Sequence, residues 1–276
     1  MVVVDQEEFR DLPGTIAIYR AAQAQALGNV ADTMKYARRV LDLVPEDDDL
    51  RRGSAAGYLG LAYWRGGDLE AAHRSCAECM ARLQRAGYIS DAINGAIALA
   101  AIRMAQGRLR EAMSTYEQAL QLATEHSAIQ LWGAADMHVG MSELHLERND
   151  LDAATQHLLR SQELGELAGL RHNRYRWRVA MARIRKAEGD LAGALDLLDE
   201  AERVYMGDFF PNVHPVAASV SRVWVAKGRV GEALRWARER GLSVSDDLSY
   251  LREFEHITLA SAPGPVEERP CRTLHA

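Results

Sequence analysis

A polar turn set between small and aliphatic positions recurs six times along the chain. The turn residues are Gly28, Gly67, Gly107, Asn149, Gly189 and Gly228, spaced 39, 40, 42, 40 and 39 residues apart. Seven residues before each turn stands a small side chain: Ala21, Gly60, Ala100, Ser142, Ala182 and Ser221. Two residues after it stands an aliphatic one: Val30, Leu69, Leu109, Leu151, Leu191 and Val230. Five after it a small one returns, as Thr33, Ala72, Ala112, Ala154, Ala194 and Ala233. A period in this range marks an array in which each unit stacks on its neighbours. Small residues on both sides of the turn let the incoming and outgoing helices cross closely, and the aliphatic residue covers the elbow. The turn residue ends a helix in the left-handed conformation, which glycine adopts freely and asparagine tolerates. These six positions are therefore structural turns, not a catalytic loop used six times.

A second break follows each of the first five turns by about twenty residues, at Asp48, Gly87, Ser127, Gly169 and the stretch DFFPNVHP near 209. Pro215 is placed at the first turn of the next helix, where its missing N–H is no loss. The spacing predicts helices of about 17 residues and a terminal helix from about Asp246 to Ala260 with Ser245 as its N-cap. The columns match the tetratricopeptide (TPR) pattern, as do the aromatic residues Tyr63 and Trp224. The period is longer than the standard repeat of about 34. The expected fold is all-α: a TPR-like α-solenoid of about six antiparallel helix pairs plus a terminal helix, over residues 1–260. Residues 261–276, SAPGPVEERPCRTLHA, hold three prolines and no helical periodicity and are expected to be a disordered tail.

Composition narrows the function classes. With 33 Lys+Arg against 39 Asp+Glu the net charge is -6, the wrong sign for a phosphate-backbone binder. Hydrophobic residues make up 48% and aromatic residues 7%, a balance that favours packed helices over a large β-sandwich. The first residues carry no basic region, and the longest apolar run, 92–102, is too short to span a membrane. Three cysteines, Cys76, Cys79 and Cys271, fit a reducing compartment. The expectation is a cytoplasmic protein without membrane contact.

Candidate chemistry is sparse. The chain has no nucleophile elbow, no dinucleotide fingerprint and no phosphate-binding glycine–lysine loop, so no enzyme activity and no cofactor are expected. Cys76 and Cys79 have the C-x-x-C spacing of zinc sites, but no second pair completes four ligands. In the repeat register they fall on packing columns. His138, His145 and His157, with Glu143 and Glu147, lack a metal-binding spacing and read as helix-face residues. No metal is expected.

The columns 13, 10, 6 and 3 residues before each turn are those that line the inner, concave wall of TPR arrays. In the second repeat they end with Trp64, an aromatic side chain able to stand exposed, and in the third they begin with Asn94. In the fourth they include Asp136 and Glu143, and in the fifth Arg176, Arg183 and Lys186. One repeat presents acids and the next presents bases. Such a wall suits a polar ligand or a peptide better than DNA, whose phosphates would oppose Asp136 and Glu143. Ion pairs within the wall are the simpler role for the same charges.

Several stretches are more specific than any TPR pattern: GTIAIYRAAQAQALGNV (14–30), ARRVLDLVPEDDDLRRGSAAGYLGLAYWRGGDLEAA (37–72), QGRLREAMSTYEQALQLA (106–123), NRYRWRVAMARI (173–184) and ARERGLSVSDDLSYLREFEHITLA (237–260). Together they resemble the MalT-type helical-repeat region of large ATP-binding LuxR-type transcription activators. The resemblance implies a sensor module that receives a small-molecule inducer or a protein segment and relays it to an NTPase and a helix-turn-helix. Neither of those parts is in this sequence, and the tail replaces the expected continuation toward the DNA-binding module, so no direct DNA binding is expected. An array end without a polar capping repeat favours self-association. A free-standing TPR scaffold joining two proteins is the alternative reading.

Overall fold

The computed structural model describes residues 6–125, 133–165, 169–205 and 210–262. Among these residues all regular structure is helical. Six antiparallel pairs follow one another: α1 (Gln6–Ala26) with α2 (Val30–Leu43), α3 (Asp49–Gly66) with α4 (Leu69–Arg85), and α5 (Ile89–Ala105) with α6 (Leu109–Glu125). Then come α7 (Ala134–Glu147) with α8 (Leu151–Leu164), α9 (Asn173–Ala187) with α10 (Leu191–Val204), and α11 (Val216–Ala226) with α12 (Val230–Glu239). A 3-10 turn at Tyr250–Arg252 leads into α13 (Glu253–Ser261).

The turns have the conformation that their residue types require. All six turn residues have positive φ, between 58° at Asn149 and 87° at Gly189, and Asn149 is the sole non-glycine with positive φ among the described residues. After each turn, the next residue donates its N–H to the carbonyl five positions back, as in Asp68 N to Tyr63 O at 3.0 Å and Asp150 N to His145 O at 2.9 Å. This closes the carbonyls left open at a helix end. The next helix is then capped by a side chain where the sequence supplies one. Asn29, Asp68, Asp150 and Asp190 each accept from a backbone N–H three residues on. Asn149→Gly is expected to leave stability unchanged or slightly raised, whereas Asn149→Val is expected to cost about 1–2 kcal/mol in urea unfolding, because a β-branched residue resists the left-handed region.

The small columns lie where pairs approach most closely. Ala21, Ala100, Ser142, Ala182 and Ser221 are buried, and so are Thr33, Ala72, Ala112, Ala154, Ala194 and Ala233. A methyl group added at Gly60 would overlap Cys76 Sγ, and one at Gly57 would lie 3.0 Å from Cys79 Sγ. Both thiols are therefore packing groups of α4 against α3, and burial pushes each up to about 12. The odd-numbered helices α1, α3, α5, α7, α9 and α11 touch in series, which makes them one continuous row, the row that forms the inner wall in TPR arrays.

The structure departs from the sequence expectation at the breaks between pairs and at the end of the array. Gly165 (φ 75°, ψ 177°) ends α8, and Gly169 lies in the connector that follows, where the break is expected. Pro215 is the N-cap of α11, one residue earlier than expected. Ser127 and residues 206–209 lie outside the described residues, as do 263–276 and with them the expected tail. Helix lengths run from 21 residues in α1 to 10 in α12 and 9 in α13, against an expected 17. The terminal helix does not start at Ser245. Ser243 N–H donates to Asp246 Oδ2 at 2.9 Å and Ser245 N–H to Ser243 Oγ at 3.2 Å, so short polar side chains hold a turn in place of the helix.

Candidate functional site

The inner row carries the residues singled out on the concave wall, and it pairs three of them, Asp136, Glu143 and Arg176, with one another. Asp136 on α7 is fully buried, and its Oδ2 accepts the Leu170 N–H at 2.7 Å. Its Oδ1 faces His172 Nε2 at 3.4 Å and Arg176 Nη1 at 3.8 Å. Arg176 on α9 reaches Glu143 as well, Nη2 to Oε2 at 3.5 Å. The acids of the fourth repeat and the base of the fifth thus form one network, because α7 and α9 lie side by side. Burial pushes the Asp136 carboxyl up, against the pull of Arg176 and His172. Burial also works against the charge of Arg176, but Glu143, Tyr116 and Asp136 around it raise the guanidinium above its usual range.

These ion-pair distances are longer than the roughly 2.7–2.9 Å of a well-formed charge-assisted bond. Asp136 Oδ1, Arg176 Nη1, Asn94 Oδ1 and the Tyr116 hydroxyl are all buried without a hydrogen-bond partner. Asn94 on α5 adjoins this network through Gly133, just before α7, where an added methyl would lie 3.1 Å from Asn94 Oδ1. Four elements therefore bring unsatisfied donors and acceptors to one region of the inner wall.

Trp64 is not exposed on that wall, which corrects the sequence expectation. Its indole N–H donates to the Tyr250 hydroxyl at 3.1 Å, and its ring lies 6.1 Å from that of Phe210. Phe210 also meets the edge of His172 at 5.5 Å between ring centres. Tyr250 sits so close to Gly67 that a methyl there would come within 2.9 Å of Tyr250 Cβ. The connector after the sixth pair thus returns to the turn of the second pair, and two aromatic side chains cover the inner wall. Arg183 and Lys186 lie farther along α9. Arg183 pairs with Glu147 at 2.6 Å, and burial lowers the Lys186 ammonium, aided by Arg222 and Arg183.

Phe210, Tyr250 and His172 escaped sequence reasoning because they stand in connectors that carry no repeat register. Tyr116 carried a faint signal: it is a large aromatic in a column where neighbouring repeats place cysteine or leucine.

His138, His145 and His157 stack between α7 and α8, with ring centres 5.3 Å apart in both neighbouring pairs and 3.0 Å between the Nδ1 atoms of His138 and His157. Among the described residues no group of histidine, cysteine or carboxylate side chains is arranged to hold a metal. Burial first, then His157 and Arg160, lowers His138 to about 4. The unfolded chain, with this histidine near its usual 6.5, binds the proton more tightly between those values. Stability is therefore expected to fall as pH drops from about 6.5 toward 4. Thermal melts across that range should show a shallower slope for His138→Gln than for the native chain, and identical slopes would contradict this role.

Comparison with known proteins agrees with the geometry. No curated protein sequence matches the chain. The fold is similar to the apo form of RapI at 9% identity (TM-score 0.58, 90% of this chain and 97% of that one). It is also similar to PilF of Pseudomonas aeruginosa at 14% identity (TM-score 0.54, 84% and 90%). A thermophilic TPR protein of Thermus thermophilus aligns at 18% identity (TM-score 0.54, 80% and 99%). At these identities the likeness concerns the fold alone. No helix among the described residues is long and apolar enough to cross a membrane. Residues 14–263 match the sequence profile of one family from the first helix to the last, and the chain belongs to that family, the MalT-like TPR region.

Proposed function

We propose that the chain is the non-catalytic sensor and interaction module of a LuxR-type transcription regulator, receiving a small-molecule inducer or a protein segment on its inner wall. The observation that carries this reading is the cluster of buried, unsatisfied groups on α5, α7 and α9, Asn94 Oδ1, Asp136 Oδ1 and Arg176 Nη1, near the aromatic cover of Phe210 and Tyr250. Groups of that kind cost free energy until something bonds to them. A ligand that supplies a donor to Asn94 and Asp136 and an acceptor to Arg176 recovers that cost. A cover made of two connector side chains can move aside without dismantling a helix pair.

Thermal stabilisation by a panel of small metabolites and peptides tests the proposal, because whatever binds only the folded chain raises its melting point. Charge reversal at buried Arg176 would unfold the array, so Asn94→Ala and Arg183→Glu are the informative variants. A compound that stabilises the native chain and not Asn94→Ala supports the inner wall as the site. Equal stabilisation of both variants would place binding elsewhere.

A further inference from the structure

Four large apolar side chains on α1, Phe9, Leu12, Ile16 and Tyr19, stand between 41% and 72% exposed. Their spacing of 3, 4 and 3 residues puts them on one face of the helix. The repeat register says what that face is for. Ile16 stands twelve residues before its turn, and in every later odd-numbered helix that column meets the pair before it. Ala55 shares a core cluster with Val40 of the first pair, Met137 with Tyr116 of the third, and Val216 with Leu198 of the fifth. A methyl at Gly95 would lie 2.9 Å from Met80 of the second pair, and the Trp177 N–H donates to Leu158 O of the fourth, also at 2.9 Å. Tyr19 falls in the column nine before the turn, where Ala98, Gly140 and Ala180 are buried. The stripe on α1 is therefore the face by which a helix pair stacks on another, and here it lies open to solvent.

A seam of 3-4-3 spacing is what one helix offers to a second in a coiled pair. This seam is also its own complement. Its spacing reads the same in both directions, with an aromatic ring at each end and a branched aliphatic at each middle position. A second α1 laid antiparallel sets Phe9 against Tyr19 and Leu12 against Ile16, twice over. Head-to-tail stacking would instead need an open far side on the sixth pair. That side is taken, because Phe254 and Leu259 of α13 pack on the cluster of Ala218, Trp236 and Ala237. Two-fold pairing closes at two chains, whereas head-to-tail contacts build filaments. A contact along the 21 residues of α1, about 31 Å, suits a transient interface below about 1,200 Å² in total.

We propose that α1 is an interaction surface for a second copy of this chain, which pairs with it antiparallel about a two-fold axis between Leu12 and Ile16. This pairing does not depend on what the inner wall binds. Sedimentation of the full chain over a concentration series tests it. The mass is expected to double between about 1 and 100 µM, as for a small, weak interface. Tyr19→Glu, at the most exposed position of the stripe, should weaken pairing by about tenfold or more, because it leaves a charge unpaired in an apolar seam. Its melting temperature in dilute solution should equal that of the native chain. Leu248→Glu, at an exposed apolar position beyond α12, should leave pairing unchanged. The register is read by cross-linking, with Cys76, Cys79 and Cys271 replaced by alanine. Positions 9 and 19 lie about 15 Å apart along one helix, too far for a disulfide within a chain. Phe9→Cys and Tyr19→Cys chains should therefore link to each other when mixed and not when either is alone. A single-chain mass throughout the series overturns the pairing and leaves the stripe to a helix of another protein. Masses beyond two chains, pairing that survives Tyr19→Glu or is lost in Leu248→Glu, or linking of either cysteine variant alone overturns it as well.

Discussion

Gly140→Leu is expected to lower stability by about 3 kcal/mol, at the upper end of the usual cost of overpacking a core. Even a single methyl at Gly140 would overlap the hydroxyl and ring of Tyr116, which is fully buried. Tyr116 belongs to α6 and Gly140 to α7, so the strain falls on the junction of the third and fourth pairs. Tyr116 has no space to retreat into, because Ile97, Met137 and Met141 pack around it in the same core cluster. Leucine, not alanine, is the better probe, since either residue regains much of the roughly 1 kcal/mol of helix propensity that glycine lacks, and only the bulkier side chain adds a clash large enough to outweigh that gain. Gly231→Ala, where an added methyl meets no atom within 4 Å, should be neutral or slightly stabilising. Urea midpoints, with hydrogen exchange read separately in α6 and α7, check both. A midpoint for Gly140→Leu equal to that of the native chain would contradict the close approach.

Arg176→Met should cost about 3–5 kcal/mol, the usual loss when one partner of a buried ion pair is removed. The substitution keeps much of the packing volume and takes the guanidinium away from both Asp136, which is fully buried, and Glu143. The pH dependence has a definite sign. A carboxyl whose folded pKa is raised, as at Asp136, binds its proton more tightly folded than unfolded, so its contribution is most favourable at low pH and is lost as pH rises through the folded value. Without Arg176 the raising effect of burial is opposed only by His172 and by the hydrogen bonds from Leu170 and Asn173, and the destabilisation should be smaller at pH 5 than at pH 8. Adding Asp136→Asn and Glu143→Gln should recover most of the loss. Unfolding of Arg176→Met within about 1 kcal/mol of the native chain at pH 8 would contradict a buried network.

The repeat was legible because its physics is local. A left-handed turn needs glycine or asparagine, two crossing helices need small side chains, and both demands fall at fixed offsets, so six copies announced themselves. The inner wall was legible as a list of residues but not as an environment. Asp136 and Arg176 stand 40 residues apart, one period, and that spacing already placed them face to face. How deeply they are buried depends on Leu170 and His172, loop residues outside any column. The burial of Trp64 was not legible at all, because its partner Tyr250 is 186 residues away in a connector that occurs once. The same holds for the end of the array. The pattern after Ser245 suits a helix, but the hydrogen bonds among Ser243, Ser245 and Asp246 win locally, and the helix starts only at Glu253.

The return of the last connector to the second turn links fold to function, since it is what covers the inner wall. It is most directly tested by pulsed electron paramagnetic resonance between spin labels at Gly66→Cys and Ser249→Cys, with Cys76, Cys79 and Cys271 replaced by alanine. A closed array predicts one narrow distribution at short distance, because Gly67 and Tyr250 are in contact. A broad distribution centred on the separation of the second and sixth pairs in an open, extended array would contradict it.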